Sequence, residues 1–281
     1  MSTPHNRAWR WLSIAFGITV SSLLVLPVAV IVASAFNAGA SPAFPPNGWS
    51  LRWFETFIAD EAFVDAMQAS LVIATVAALL SVSIGLPAAL WVSRTSGKRG
   101  AVMEAFLLSP LMLATIVLGV AILQVLLLTG IPTSPLAIAV GHSIIGTPYV
   151  ARLVLASLAG APSDCERAAR SLGAPPVRAF MRVTLPLAKS GLIAGGLFAF
   201  LVSLDDVNIA LFLSDVHTTT LPVRTLSYIE QNADPLASAV SAVLVFLVLA
   251  FMFLADRIFG IDRMFGLPEA EARRATRKEA A

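Results

Sequence analysis

The chain has 281 residues, 57% hydrophobic and 13% charged, with a formal net charge of +2. A soluble domain is about 25% charged, so this composition excludes a chain built on a soluble core and reads as an integral membrane protein. The single cysteine, Cys165, excludes an internal disulfide and a thiolate zinc set.

Apolar windows of near-spanning length fall at about 11–36, 65–92, 102–128, 135–156, 188–213 and 236–256. They predict an all-α protein with six transmembrane helices. The first window follows Arg7 and Arg10 and ends near Ala33-Ser34-Ala35, which has the look of a cleavage site. Its length is that of a span, whereas a signal core is about 7–15 residues. An uncleaved first helix is expected. Between the first two windows, Trp49, Trp53 and Phe57 recur at helical spacing in a Pro-rich, then aromatic segment. That fits an amphipathic helix on the membrane surface or an aromatic belt. Pro27, Pro87, Pro110 and Pro148 fall inside windows and read as local kinks. The third window is thus taken as one continuous span, with Glu104 at its cytoplasmic start. His142 and Tyr149 of the fourth window read as packing residues.

Basic residues alternate from loop to loop. Arg94, Lys98 and Arg99 mark one side, as do Arg167, Arg170, Arg178 and Arg182, and the tail from Arg257 to Lys278. The intervening loops hold Arg52 and Arg224 among more numerous acids. The positive-inside rule places both termini in the cytoplasm. The expected organisation is a cytoplasmic N-terminus (1–10), a transmembrane domain (11–260) and a charged cytoplasmic tail (261–281).

The segment SDCERAARSLGAPPVRAFMRVTLPLAKSGL, 163–192, is too long for a mere connector, which is typically about 2–8 residues in a bundle. Ser163 or Asp164 is suited to cap a helix running to Leu172, and Gly173 to end it. Pro175 or Pro176 starts a second helix. That helix is expected to stop before Pro186. The product is a helix–Gly–helix elbow with a basic surface, at about 163–187, suited to docking a cytoplasmic partner.

This elbow resembles the "EAA" loop of ABC importer permeases: Glu-Ala-Ala, three residues, Gly, nine residues, Ile-x-Leu-Pro. Ala168, Ala169, Gly173, Leu185 and Pro186 occupy the pattern's positions, and Val183 replaces its Ile. Arg167 stands where the motif has Glu, with Glu166 adjacent. The resemblance covers roughly 11–260. The SLDDVNIALFLS run and the Leu-Pro, Asp-Pro and Ala-rich segments after it are similar to the second permease of spermidine/putrescine-type importers. Importers of opines and amino-acid derivatives share much of this pattern.

The resemblance implies a type I ABC importer permease fold in the bacterial inner membrane. It implies coupling contacts from Glu166, Arg167, Ala168, Ala169, Gly173, Ala174, Leu185 and Pro186. The partners it implies are an ATPase subunit dimer that binds ATP and Mg, a second homologous permease, a periplasmic solute-binding protein and membrane lipid. The chain itself is then a non-catalytic subunit, and it carries no G-x-x-x-x-G-K-[ST] phosphate loop. Nothing in it suggests nucleic acid binding.

Asp205 and Asp206 lie in an otherwise apolar run. A carboxylate at that depth costs about 2.5–3.5 kcal/mol on insertion scales. Asp205 is expected on one helical face with Asn208 and Phe212, and Asp206 about 100° away. Gly191, Gly195, Ala199 and Ser203 form a small-residue stripe that admits a neighbouring helix. The candidate substrate pathway is Ser203, Asp205, Asp206 and Asn208, in which a carboxylate attracts a cationic amine. Capping a broken helix, or pairing with a partner permease, stays open for either aspartate. The competing class is an ion-coupled secondary transporter. It would more often show inverted repeats or broken-helix pairs, and neither is legible.

Overall fold

A computed structural model describes residues 4–95, 97–159, 165–215 and 218–259, with the side chains of 4–10, 167, 255–256 and 258–259 left out. The proposed cap residues Ser163 and Asp164 and the charged tail lie outside the described residues. The helices are α1 (Pro4–Ala35), α2 (Arg52–Ala59), α3 (Glu61–Arg94), α4 (Lys98–Leu108), α5 (Thr115–Thr129) and α6 (Pro135–Ala159). After them come α7 (Cys165–Ser171), α8 (Pro176–Ala179), α9 (Leu185–Asp205), α10 (Asn208–Leu213), α11 (Leu221–Gln231) and α12 (Leu236–Phe259). Among the described residues there is no β-strand, only an isolated bridge between Asn37 and Trp49.

Among the described residues, five helices are long and apolar enough to cross a membrane: Trp11–Ala35, Glu61–Arg94, Pro135–Ala159, Pro176–Asp205 and Leu236–Leu254. The third window does not fold as one helix. Lys98–Met112 and Thr115–Thr129 meet at 98°, giving six spans if the bent pair counts as one. Pro110 sits in the short 3₁₀ turn Ser109–Met112 just before the break. A proline kink and a complete break look the same in sequence, because either begins with a missing N–H.

The chain sorts into two compact units, one of residues 1–64 with 225–249, the other of 65–224 with the segment from Ala250. The first is organised around the loop after α1. Asn37 is fully buried. Its amide donates to Ser41 O (2.8 Å), and its Oδ1 accepts from the Asn47 amide (3.0 Å). Its carbonyl accepts from Trp53 Nε1 (3.0 Å). Trp53 and Phe57, four apart on α2, are buried, and Phe57 meets Phe63 at 6.0 Å between ring centres. Trp49 precedes the helix and is exposed, so the expected three-residue helical face reduces to two.

In the second unit α6 is the most buried span, with 67% of its apolar window inside. Small residues explain how it fits. A Cβ at Gly191 of α9 would land on the Leu153 carbonyl of α6, and one at Gly195 would strike Val150. Gly146, on the same face of α6, leaves no room for a Cβ against Ser81 of α3 and brings Ala199 of α9 close. The stripe Gly191, Gly195, Ala199 and Ser203 is buried along α9, as its spacing predicts. Lipid gives apolar helices no net reason to associate, so close backbone packing of this kind holds them.

The helix from Pro176 does not stop at Pro186. Phe180–Thr184 form a π-helical turn that runs directly into α9. In a regular α-helix the Pro186 ring would crowd the Arg182 carbonyl. The wider turn accommodates it.

Candidate functional site

Two parts of the second unit carry the sequence candidates: the elbow, and the break after α9.

The elbow is built by local rules. Gly173 has φ +88°. Its N–H bonds to the Arg170 carbonyl (3.0 Å), and the Ala174 N–H reaches back to the Ala169 carbonyl (3.1 Å). This is the Schellman arrangement, and it places Gly where the left-handed residue belongs. Pro175 and Pro176 follow, and Pro176 is the first residue of α8. Ala168 is exposed, Ala169 and Leu185 are half-buried and Pro186 is exposed. The Arg167 side chain lies outside the description. Leu172 is 90% exposed, Val177 72% and Met181 56%. These apolar side chains lie among exposed Arg170, Arg178 and Arg182.

Glu166 is held within its own chain. Its Oε2 is 2.7 Å from Arg94 Nη2 at the end of α3 and accepts from Thr184 Oγ1 at 2.6 Å. Neither Arg94 nor Thr184 was legible as a partner, being 72 and 18 residues distant. The Thr184 hydroxyl is the largest influence and holds the Glu166 carboxyl below its usual value of 4.5; burial opposes it, and the Arg94 and Arg170 charges add to the lowering. A lowered folded-state value makes this clasp stabilising above the unfolded value, and the contribution is lost as pH falls through the folded one. Protection of the α7 amides against hydrogen exchange, corrected for intrinsic rates, is thus expected to hold down to about pH 4.5 and then decline. Glu166→Gln should show lower protection with no such decline. An identical pH profile in both proteins would refute the clasp.

At the other part, α9 ends at Asp205 and α10 begins at Asn208. The helical-face expectation across this stretch is corrected by the break. Asp205, Asp206 and Asn208 all border one cavity of about 490 Å³, with Pro110, Leu113, Thr115, Ile145, Tyr149 and Val202 among the others. Asp206 does the capping that the sequence left open. Its Oδ1 accepts from the Ile209 N–H at 2.7 Å, satisfying a free amide at the start of α10. Its side chain is only 7% exposed. Asp205 is exposed to the cavity, and among the described residues its carboxylate has no hydrogen-bond or ion-pair partner. Asn208 Nδ2 donates to Thr115 Oγ1 across the cavity wall (2.7 Å). Tyr149 stacks on Phe198 at 6.0 Å. Ser203 is buried behind the wall, 2.7 Å from His142 Nδ1. The cavity wall includes both breaks, the one after Pro110 and the one after Asp205. Broken-helix elements are therefore present where none was expected.

The arrangement suits a cation. An open carboxylate faces a half-apolar chamber with an aromatic ring, and amide and hydroxyl groups stand at the rim.

The chain is 31% identical over 84% of its length to the putrescine transport system permease protein PotI of Escherichia coli K12, covering 85% of that protein. It is 29% identical to the spermidine/putrescine transport system permease protein PotC of Haemophilus influenzae, over 87% of this chain and 95% of that one. In fold it matches a chain of a bacterial ABC transporter that imports the acidic polysaccharide alginate, with TM-score 0.68, 14% identity, and coverage of 90% and 97%. The model of the family described as "binding-protein-dependent transport system inner membrane component" matches residues 5–261, and the chain belongs to that family.

Proposed function

We propose that this chain is the permease subunit of an ATP-driven importer that moves a small cationic amine of the polyamine class into the cytoplasm. The observation that carries the reading is the Asp205 carboxylate, which borders a cavity of a permease-family chain and has no hydrogen-bond or ion-pair partner among the described residues. Two curated relatives are named for putrescine and spermidine/putrescine transport, which supports the same substrate class. The solved fold neighbour imports an acidic polysaccharide. A cavity bordered by two carboxylates repels such a substrate and attracts an ammonium group.

In this reading the chain catalyses nothing itself. A pair of ATPase subunits binds ATP and Mg and closes on the elbow, whose exposed Leu172, Val177 and Met181 supply an apolar contact and whose arginines supply charge. A second, related permease completes the pathway, and a periplasmic binding protein delivers the solute. Both termini face the cytoplasm. Closure moves the elbow, and the motion reaches the cavity through α9, which is continuous with it. Inward- and outward-facing packings are the two states that this motion exchanges.

The test is uptake of labelled putrescine by the whole importer carrying Asp205→Asn. A hydrogen bond to a charged group contributes about 1.5–3 kcal/mol, so the apparent KM should rise about tenfold or more. An unchanged KM with normal assembly would sink the cation reading.

A further inference from the structure

His142 is fully buried in α6, and the transport reading so far makes no use of it. It lies on the stripe of α6 that carries Ile145 and Tyr149, three and seven residues on, both at the cavity wall. Its Nδ1 is 2.7 Å from Ser203 Oγ of α9. Its Nε2 has no hydrogen bond of ordinary length among the described residues. The Asp206 carboxylate lies beside it, with Oδ1 3.5 Å away. That oxygen also takes the Ile209 N–H.

The neutral imidazole has two tautomers. With the proton on Nδ1, the Nε2 lone pair would face a carboxylate oxygen, which is repulsive. With the proton on Nε2, the Ser203 hydroxyl donates to Nδ1 and the Nε2–H points at Asp206. Only the second arrangement gives all three groups a complementary neighbour. A polar ring buried in an apolar core is costly unless it is so matched.

We infer that His142 is a positioning residue for the cavity: anchored on Ser203, it holds the Asp206 carboxylate where it both caps α10 and lends its charge to the chamber beside Asp205. The inference rests on the cation reading above. It assigns the two aspartates different parts. Asp205 receives the ammonium group, and Asp206 is bonded by the Ile209 N–H of α10 and faced at 3.5 Å by the His142 ring of α6. Without His142, Asp206 keeps only its backbone donor. The carboxylate is then free to turn, and the chamber loses part of its negative field.

The experiment is labelled putrescine uptake by the whole importer with His142→Asn, His142→Gln, Asp206→Asn, Asp205→Asn and the double variant His142→Asn/Asp206→Asn. The asparagine amide keeps the Ser203 contact and falls short of Asp206. The glutamine amide reaches the Nε2 position. His142→Asn should raise KM about fivefold with Vmax within about twofold, and His142→Gln should restore KM to within about twofold. The double variant should be no worse than Asp206→Asn alone, because His142 acts through that carboxylate. A His142→Asn effect confined to Vmax or protein level would overturn the inference. So would a fivefold loss that persists on top of Asp206→Asn, since that is a packing role. If Asp205→Asn leaves KM unchanged, the cation reading fails, and the inference with it. If Asp205→Asn raises KM and His142→Asn does not, His142 alone is overturned.

Discussion

Gly191→Val is expected to prevent α9 from seating on α6 and to leave little correctly folded chain in the membrane. The obstacle at Gly191 is backbone: an added Cβ falls on the Leu153 carbonyl, with Ser157 Oγ close behind. A flexible side chain would swing aside, but a helix backbone has to translate. A shift of α6 would also disturb α3, which packs on the same face, with Ser81 at Gly146 and Gly85 under Val150. Overpacking a well-filled core costs typically about 1–3 kcal/mol. A backbone obstacle, on a face of α6 that α3 also packs against, puts this case at the upper end or beyond. Lipid offers no compensating drive to hold a loosened pair together. Gly17→Val is the control, since nothing lies within 4 Å of a Cβ at that position on α1. Thermal unfolding of the purified proteins in detergent, with the amount recovered from membranes, compares the two. Equal melting temperatures for Gly191→Val and Gly17→Val would show that α6 and α9 are not held by this contact.

What the sequence made legible is what a bilayer or a short local motif enforces. A span has to be apolar for about 20 residues, so the windows at 11–36, 65–92, 135–156 and 236–256 correspond to helices. Gly173 followed by two prolines leaves the backbone few choices, and the turn between α7 and α8 forms there, although the second helix runs on past Pro186. The breaks were less legible. Nothing in LDDVNI distinguishes a continuous helix from one that ends at Asp205 and restarts at Asn208. The deciding contact, Asp206 on the Ile209 amide, is itself a consequence of the break. The helical-face argument failed there: Asp205 and Asn208 do meet at one cavity, but Asp206 joins them and Phe212 is not among its lining residues. The Glu166 clasp was out of reach for a different reason. Its partners come from the end of α3 and from the π turn before Pro186, and that turn has no recognisable sequence signal. Packing dictates such pairs, and one chain read alone does not display it.

Gly173→Val is expected to leave the chain folded and the proposed complex assembled, while substrate-stimulated ATP hydrolysis and uptake fall about tenfold or more. The argument turns on what the substitution does and does not touch. No atom lies within 4 Å of a Cβ at Gly173, so there is no steric insult. The cost is purely conformational, because φ +88° is left-handed territory. An L-residue there costs about 1–2 kcal/mol, and a β-branched one is least tolerated. That is a small fraction of the chain's packing but comparable to what holds one short helix in place. α7 has a single Schellman closure at this end and the Glu166 clasp near the other. Opening the closure lets α7 swing about the clasp. The elbow would then meet the ATPase at the wrong angle, and closure of the nucleotide sites would no longer be passed through the π turn to α9. A series separates this account from a charge effect. Asn and Asp enter the left-handed region more readily than other residues, so conformational control predicts activity in the order Gly, then Asn and Asp together, then Val. If Asp is far worse than Asn, and Asn no better than Val, the charge presented to the ATPase decides the outcome and the backbone of Gly173 does not.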